Sequence, residues 1–401
     1  MIASRQQGRS MPPKQRWSNV TVVTPAGQLA SDLLVKGDRF AGFVPSGAEI
    51  GENWQPVDGR GAILFPGIID LLQHGFGLHL YNDTEPEALE ENSRLLLRHG
   101  VTGFLPSISC LPPSRMEGVL ARLSAQCCDT GGARALGVHS EGPCFGSPGA
   151  HNPGNIVPPS LELAKRMLAA TDGRLKAVTV APEREGAEEF IGALKTAGVS
   201  IHLGHSLARP QDIPRYVSWG VDAVTHMFNV MPTYPPGNMG VHVMSLTDAL
   251  LAESSLALGL VADGIHVEPQ MVRLLAQLSP DRVFLETDAM KYAGTPGAEF
   301  EFYPGYWVTS APGKAVRDRK GGLCGSSLTP DEALRNYLRF SGRDLVQVAH
   351  ATSLVPARVI GMEGEIGSIA KGKLADFAVL DPATLEVRAT YVGGQRLWSA
   401  P

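Results

Sequence analysis

Residues 199–232 read VSIHLGHSLARPQDIPRYVSWGVDAVTHMFNVMP and contain two short apolar runs, Ser200–Leu203 and Val221–Thr225. Each run is rich in β-branched residues and leads to a histidine, His205 or His226, and a stretch of helical character separates the two runs. In a parallel α/β barrel, strand–helix–strand units of this kind present side chains at the C-terminal mouth, where imidazoles can bind a metal. One such histidine alone is more often a hydrogen-bonded core residue. Two histidines at equivalent strand ends favour a metal site.

The composition is that of an ordinary water-exposed globular chain. Its 401 residues suffice for one barrel of about 250 residues and a second small domain. Hydrophobic residues make up 43% and charged residues 19%, and the formal net charge is −5. This balance gives no reason to expect nucleic acid or an anionic membrane as a partner. No apolar run reaches the roughly 18 residues that a membrane span needs.

The N-terminal residues and the cysteines both bear on localisation. Residues 1–16 are polar and lack the apolar core of a secretory signal, so we predict a disordered tail there. The five cysteines include the adjacent Cys127 and Cys128 but no Cys-x-x-Cys spacing. An odd number of cysteines without that spacing favours reduced thiols, and therefore a cytoplasmic protein.

Short β-type runs separated by turn residues occur at both ends of the chain. They are Val20–Thr24, Asp32–Val35, Ala41–Val44, Phe377–Leu380, Val387–Thr390 and Gln395–Trp398. Neither group alone buries enough area to be stable. We therefore predict that residues 17–61 and 365–401 pair into one small β-sandwich domain.

Between these ends, β-type and helical segments alternate. The strand candidates are Ala62–Leu72, Val101–Ser107, Ala135–His139, Lys176–Ala181, Ser200–Leu203, Val221–Thr225, Leu256–Val261 and Arg282–Glu286. The helical candidates are Pro86–His99, Ser114–Cys127, Ser160–Ala170, Ala187–Ala197, Arg209–Trp219, Met244–Ala252, Pro269–Gln277, Pro330–Phe340 and Leu345–Ile360. This alternation predicts an α/β fold, a (β/α)8 TIM-type barrel over residues 62–364.

Ionisable or imidazole side chains follow most of the predicted barrel strands. They are His74, Glu141, Glu183, His205, His226, Asp263, His266 and Asp288. In a parallel barrel these side chains share one mouth. Hydrolytic metal sites combine neutral imidazoles and carboxylates with an open position for water and a base. The sequence therefore predicts a metal-dependent hydrolase.

Seven motifs, in order, resemble the amidohydrolase superfamily, and within it the N-acetylglucosamine-6-phosphate deacetylases. They are PGIIDLLQHG (66–75), LGVHSEGP (136–143) with GAHNP (149–153), LGHS (203–206), THMFNVMP (225–232), ADGIHV (262–267), ETDAM (286–290) and LTPDEALRN (328–336). The resemblance extends to the flanking GSIAKGKLADFAVLD (367–381) and so covers nearly the whole chain after about residue 17. It implies a small-molecule N-acyl substrate and a homodimer.

The resemblance also implies roles for individual residues. Glu141, His205 and His226 match the family's metal ligands. Asp288 matches the catalytic aspartate, which takes a proton from the attacking water and returns it to the departing amine, and His266 matches the residue that polarises the acetyl carbonyl. The substrate-binding candidates are His151, Asn229, Val230, His74 and Lys291. For Asp288 a helix N-cap, and for His266 a simple pairing with Asp263, are structural alternatives.

Two departures from the superfamily favour one metal ion rather than two. Many members carry His-x-His after the first strand, where this chain has Leu72 and His74. Binuclear relatives also carry a carboxylated lysine after the fourth strand, where Ala181-Pro182-Glu183 stands here. We predict one divalent ion. Zinc (Zn2+) suits a ligand set of two histidines and one glutamate best, with Fe2+, Mn2+ and Co2+ as alternatives.

A third departure concerns the substrate's phosphate. Family members carry an arginine some eleven residues after the second metal histidine, and Gly237 stands there in this chain. No Lys or Arg occurs from Tyr216 through Val272, and the loop between Glu141 and His151 has no basic residue. A phosphate ester in a partly dry pocket needs charge-assisted donors. We therefore predict an N-acylated substrate without a 6-phosphate, although Lys291 or a partner subunit could supply the missing charge.

Three alternatives to this function remain open. The first is the family's own activity on N-acetylglucosamine 6-phosphate. The second is hydrolysis of a cyclic amide, which the missing His-x-His and strand-four lysine disfavour. The third is a catalytically inactive barrel that serves as a binding subunit, which the presence of the ligand set and Asp288 disfavours.

Overall fold

A barrel of parallel strands forms the centre of the molecule. The computed structural model describes residues 14–51, 53–83, 85–127, 130–232 and 243–401. Its barrel strands are, in order, Ile68–Gln73, Val101–Ile108, Val138–Glu141 (preceded by the short Arg134–Ala135), Leu175–Val180, Ser200–Leu203, Val221–Val224, Ala257–Leu260 and Val283–Leu285. We call these barrel strands 1 to 8. Neighbours in this order pair in parallel from strand 1 to strand 8.

The barrel closes where the end of strand 8 meets the end of strand 1. Gln73 and Ala289 form a parallel bridge. The Asp288 N–H donates to the Leu72 carbonyl at 2.9 Å, and the His74 N–H donates to the Ala289 carbonyl at 2.7 Å. The closure therefore brings His74, after strand 1, and Asp288, after strand 8, side by side.

Helices connect the strands and cover the outside of the barrel. They are Ala88–Leu96, Pro113–Gln126, Leu161–Thr171, Ala187–Thr196, Ile213–Trp219, Leu246–Ala252, Pro269–Leu278, Pro330–Ser341, Leu345–Ala349 and Val355–Val359. Short 3-10 turns occupy Leu97–His99, Pro153–Asn155 and Pro210–Asp212, and a π turn, His350–Leu354, joins the last two helices.

Local sequence explains where individual helices start and which face they bury. Ser160 caps the third helix, because its hydroxyl accepts the Leu163 N–H at 3.2 Å. Ser245 and Asp248 form a reciprocal capping box on the sixth helix. Leu163 and Met167, four residues apart, are among the buried side chains of the third helix, as expected for one apolar stripe.

The two chain ends form one eight-stranded sheet. Its strands are Gln15–Thr24, Gly27–Leu29, Asp32–Lys36, Arg39–Val44, Gln55–Pro66, Phe377–Leu380, Val387–Val392 and Gln395–Ser399. The Trp17 ring lies 5.1 Å from the Tyr391 ring, although their strands are three positions apart in the sheet. Three positions in a flat sheet span about 14 Å. The sheet therefore curls around its own core, which includes Trp17, Phe40 and Phe377.

The predicted α/β class, the (β/α)8 barrel and the sheet built from both ends are confirmed, whereas some predicted segments were wrong. The predicted strand Ala62–Leu72 is two strands, and Gly67 separates them. The first of the two, Gln55–Pro66, lies in the sheet of the chain ends. A continuous apolar run hid this break. The predicted boundary between the small domain and the barrel, at residue 61, stays a prediction. The strand Gln55–Pro66 crosses that boundary.

The predicted N-terminal tail is only partly described. Residues 1–13 lie outside the described residues, and Gln15 begins a strand that pairs with both Asp32–Lys36 and Gln55–Pro66. The last two residues of the predicted tail are therefore ordered. Strand pairing and an ion pair explain this, because the half-buried Arg16 contacts the buried Asp32 at 2.7 Å.

A small antiparallel sheet after strand 8 was missed in the sequence. It consists of Ala298–Tyr303, Tyr306–Ser310, Ala315–Asp318 and Leu323–Ser326. A parallel bridge between Ala289 and Ser326 attaches it to the end of strand 8, beside the barrel mouth. We call it the mouth sheet.

None of the helices in the described part of the chain has both the length and the apolar composition of a membrane span.

We expect the core of the sheet formed by the two chain ends to depend on Trp17. Trp17→Ala removes a side chain that is 3% exposed and in edge contact with Phe377 and Tyr391. The free energy of unfolding, measured by urea denaturation, should fall by about 3 to 5 kcal/mol. Trp307→Ala is the matched control, since that ring is 37% exposed and its loss should cost less than about 1 kcal/mol. Equal losses for the two variants would contradict the packing argument.

Candidate metal centre and active site

Three ligand atoms form a small triangle at the barrel mouth. The Glu141 Oε1 atom lies 3.2 Å from His226 Nε2 and 3.3 Å from His205 Nε2, and the two nitrogens lie 3.2 Å apart. All three side chains are buried. Ligands of a tetrahedral zinc ion with bonds of about 2.0 to 2.1 Å lie about 3.3 to 3.4 Å from each other. The triangle therefore fits one face of a tetrahedral site.

The backbone at the strand ends turns these side chains toward the barrel axis. His205, His226 and Asp288 all have left-handed φ angles, +51°, +34° and +51°. Such angles are uncommon for residues other than glycine and cluster at functional sites, where the surrounding structure holds them. Each residue follows its strand by two or three positions, so the turn occurs after the ladder of strand hydrogen bonds has ended.

Local contacts orient the His205 ring. Its Nδ1–H donates to the Ser147 carbonyl at 3.1 Å, which leaves the Nε2 lone pair facing Glu141 and His226. Gly149 lies against the same ring: a Cβ added there would lie 2.8 Å from His205 Cε1, and its φ is +53°. Glu183, which follows barrel strand 4, holds the loop after His205, because its carboxylate accepts from Ser206 Oγ and Leu207 N, both at 2.6 Å.

Two further histidines surround the other oxygen of Glu141. His74 Nε2 and His151 Nε2 each lie 2.9 Å from Oε2. His151 Nδ1 accepts the Cys110 N–H at 3.3 Å, so its Nε2 carries the proton that Glu141 accepts. Both ring nitrogens of His151 thus have protein partners. His74 Nδ1 donates to the Ser107 carbonyl at 3.2 Å. His74 Nε2 therefore donates to Glu141 only when both nitrogens of the ring carry a proton.

These contacts set the charges of the centre. Burial opposes the charge of Glu141, but the electrostatic interaction with His151 and the hydrogen bonds from His151 and His226 hold the pKa of Glu141 well below its usual range. Burial lowers the pKa of His205 to about 4 and so keeps that ring neutral. Burial also disfavours a charged His226, but the hydrogen bond and charge of Glu141 raise its pKa to about 9. A cation that binds here must displace that proton.

Asp288 and His266 complete the mouth. The Asp288 Oδ1 atom lies 3.5 Å from His74 Nε2, and burial raises the pKa of Asp288 above its usual value. Asp263 fixes the His266 ring, because its Oδ2 atom accepts the Nδ1–H at 2.6 Å. Both His266 and Asp288 line the pocket above the triangle. A role of Asp288 as a helix N-cap, or of His266 as a partner of Asp263 alone, would not explain why both side chains line this pocket.

Asn229 carries an unsatisfied acceptor into this pocket. Its amide nitrogen donates to the His266 carbonyl at 3.1 Å, which fixes the orientation of the amide group. Its Oδ1 atom is buried and has no partner within the described part of the chain. Since a buried unpaired acceptor is costly, this atom is suited to accept a hydrogen bond from a bound molecule.

The pocket brings together most of the predicted site residues. It encloses about 140 Å3 and is lined by His74, Glu141, Ala150, His151, His205, His226, Asn229, Val230, His266, Asp288, Met290, Phe302, Leu323, Cys324 and Gly325. Lys291 is the exception, because it does not line the pocket and its Nζ lies 4.0 Å from Asp83 Oδ2 at the rim. The segment that contains Gly237 lies outside the described residues.

Sequence reasoning missed the apolar wall of the pocket. Phe302, Leu323 and Cys324 come from the mouth sheet, which we had not predicted. The alternating AEFEFY at 298–303, followed by the turn residues Pro304 and Gly305, is the signal that could have revealed its first hairpin.

The fold and the ligand set together define a (β/α)8-barrel hydrolase with a candidate metal centre. Residues 63–397 match the amidohydrolase family, and the chain belongs to that family. Its relatives include the N-acetylgalactosamine-6-phosphate deacetylase of Escherichia coli O157:H7, which is 34% identical over 83% of this chain and 87% of the relative. The N-acetylglucosamine-6-phosphate deacetylase of Rattus norvegicus is 32% identical over 98% of each chain.

A solved structure agrees with this assignment. The N-acetylglucosamine-6-phosphate deacetylase from Pasteurella multocida superposes with a TM-score of 0.86 at 27% identity, over 96% of this chain and 99% of that chain. The predicted resemblance is thus confirmed, and the chain is a hydrolase of amide C–N bonds.

We expect His205→Asn to abolish stoichiometric metal binding, since it removes one corner of the triangle. Metal content after dialysis, measured by elemental analysis, should fall from close to one ion per chain to a small fraction. Adding metal at about a thousand times its dissociation constant should stabilise the wild-type protein by about 4 kcal/mol and the variant by much less.

His79→Asn is the matched control for this experiment. His79 lies outside the pocket and contacts Glu91 at 2.8 Å. The His79→Asn variant should retain the wild-type metal content. A variant at 205 that binds metal as tightly as the wild type would exclude the triangle as the metal centre.

Proposed function

We propose that this chain removes an N-acetyl or other N-acyl group from an amino sugar or a related small molecule, with Glu141, His205 and His226 holding one divalent metal ion. The observation that carries the proposal is the ligand triangle, with sides of 3.2 to 3.3 Å, in one pocket with Asp288 and His266. Two imidazoles and one carboxylate suit zinc best. We keep the single ion, a homodimer and a cytoplasmic location as parts of the same proposal.

The amide bond explains why so many groups are needed. An amide is a weak electrophile with a poor leaving group, so its hydrolysis requires an activated water, a stabilised oxyanion and a proton for the amine. A metal ion at the triangle supplies the acidity of the water and polarises the carbonyl. The protein supplies the remaining proton transfers.

Asp288 is the proposed proton carrier. It accepts a proton from the water that attacks the carbonyl carbon, and it passes this proton to the nitrogen as the C–N bond breaks. The products are a carboxylic acid and an amine, which at neutral pH are present as carboxylate and ammonium ions. Burial raises the pKa of Asp288, which helps it return the proton, while the charge of a nearby cation acts in the opposite direction.

Two further residues would bind the substrate. In its doubly protonated form, the His266 ring would donate Nδ1–H to Asp263 and Nε2–H to the carbonyl oxygen, where it would stabilise the charge that develops. The Oδ1 atom of Asn229, which has no partner among the described residues, would accept a hydrogen bond from an amide N–H or a hydroxyl group of the substrate.

The absence of cationic side chains from the pocket supports a substrate without a phosphate. Within the described residues, the pocket lining contains no Lys or Arg. The sequence from Tyr216 through Val272, which includes the undescribed loop, contains none either. Lys291 lies at the rim beside Asp83. A phosphate ester would therefore lose hydration without gaining a charged partner.

The phosphorylated substrate is the second candidate, because the named relatives act on 6-phosphorylated N-acetyl amino sugars. A cyclic-amide substrate is a weaker alternative, because the chain lacks the His-x-His motif after the first strand and the lysine after the fourth.

We expect Asp288→Asn to lower kcat by about 10² to 10⁴, because an amide cannot accept the proton from water. Metal content should remain at the wild-type level, since Asp288 is not a corner of the triangle. Asp83→Asn, at the rim and outside the pocket lining, is the matched control and should keep kcat within about twofold. Full activity of the Asp288 variant on any N-acyl substrate would refute its role.

The specificity proposal predicts the outcome of a paired assay. With the metal-loaded protein, N-acetylglucosamine and N-acetylgalactosamine are compared with their 6-phosphates by measuring acetate release. The unphosphorylated forms should have the higher kcat/KM, by at least about tenfold or 1.4 kcal/mol. Activity confined to the phosphates would contradict the proposed specificity but keep the deacetylase. If acetate is released from neither amino sugar and from neither 6-phosphate, the substrate is a different N-acyl compound or a cyclic amide.

A further inference from the structure

Glu286 is a buried carboxylate that the proposed reaction does not use. It follows barrel strand 8 and is 1% exposed. Its Oε1 atom accepts the backbone N–H of His226, and its Oε2 atom has no partner in the part of the chain that the structure describes. Burying an unpaired carboxylate oxygen is costly, so this arrangement calls for a donor.

The barrel makes specific room for this side chain. Glu286, directly after strand 8, reaches His226, beyond strand 6, by crossing strand 7 at Gly259. A Cβ at position 259 would lie 2.7 Å from the Glu286 Cδ atom and 2.8 Å from the Val224 carbonyl oxygen. Any side chain at 259 would displace the carboxylate from His226.

His226 needs the support that Glu286 offers. Its left-handed backbone takes its N–H out of the strand ladder, whose last bonds here run from Thr225 N to the Leu203 carbonyl and from Met227 N to the Gly259 carbonyl. Its Nε2 faces the ligand triangle, so its Nδ1 carries the proton when the ring binds a metal. That Nδ1 is buried and has no acceptor among the described residues. Histidines that bind metals almost always donate this second N–H to a carboxylate, a carbonyl or water.

We propose that Glu286 is a positioning residue for His226: its Oε1 holds the backbone, and its Oε2 accepts the ring Nδ1–H, directly or through one water, when metal binds. The carboxylate then fixes the ring orientation and raises the basicity of Nε2. The inference deepens the proposed function and rests on its metal centre, because Glu286 acts only through His226.

The test is the metal affinity of Glu286→Gln, measured by competition with a chromogenic chelator. Glutamine keeps an oxygen for the His226 backbone but places an NH2 group, a donor, where Oε2 stood. We expect zinc to bind 10- to 100-fold more weakly, with the melting temperature of the metal-free protein little changed. Wild-type affinity in this variant would overturn the inference, because a purely structural role is preserved by glutamine.

Asp376→Asn is the matched control for loss of a buried carboxylate. Asp376 is 6% exposed, accepts hydrogen bonds from Arg134 and Gly393, and directly precedes the strand Phe377–Leu380 in the sheet of the chain ends, outside the pocket lining. It should lower stability and leave zinc affinity within about twofold. If it weakens zinc binding as much as Glu286→Gln does, loss of stability explains both results and the inference is wrong.

Two further measurements keep the test decisive. Gly259→Ala perturbs the same contact from strand 7 and should also weaken zinc binding. In the cobalt-loaded wild type, proton NMR should show two slowly exchanging, strongly shifted ring N–H signals, one each from His205 and His226, and an absent second signal would overturn the inference without any variant. A wild-type protein that binds no metal at all would instead defeat the proposed function.

Discussion

The shared carboxylate of Glu141 is the interaction on which the whole mouth depends. Burying a carboxylate is expensive unless charges or donors compensate it. Here four imidazoles approach its two oxygens, His205 and His226 at Oε1 and His74 and His151 at Oε2. His205 and His226 also bring their Nε2 atoms within 3.2 Å of each other. Without a metal, the raised pKa of His226 places a proton in this gap, and a cation that displaces this proton can be bound by both nitrogens and by Oε1. The centre is therefore built for a positive charge.

The barrel contributes the rigidity that this arrangement requires. The left-handed backbones of His205, His226 and Asp288 each cost free energy that the packed strands offset. Gly149 makes space beside the ligand His205, and Gly259 makes space beside Glu286. The sheet of the chain ends has its own, separate aromatic core. Ligand placement is thus set by strand register and by a few close backbone contacts, and the loops that complete the pocket can differ without moving the ligands.

The barrel and its strand order were predictable because they follow from period and position, whereas the three ligands were singled out from eight strand-end candidates by the family resemblance. Apolar runs alternate with amphipathic segments, and side chains at the ends of parallel strands must converge. The break at Gly67 was not predictable, since one apolar run continues through it. The mouth sheet was missed because its strands are short and half exposed, and with it Phe302 and Cys324 were missed. Lys291 was assigned from its proximity in sequence to Asp288, but the side chain turns to Asp83 instead.

The account as a whole is tested most directly by anomalous diffraction from crystals of the chain loaded with one equivalent of zinc. It predicts a single strong peak about 2.0 to 2.2 Å from Glu141 Oε1, His205 Nε2 and His226 Nε2, with its fourth position open toward the pocket that Asp288 lines. A peak at any other group of residues, or these three side chains turned away from one another around an empty centre, would contradict it.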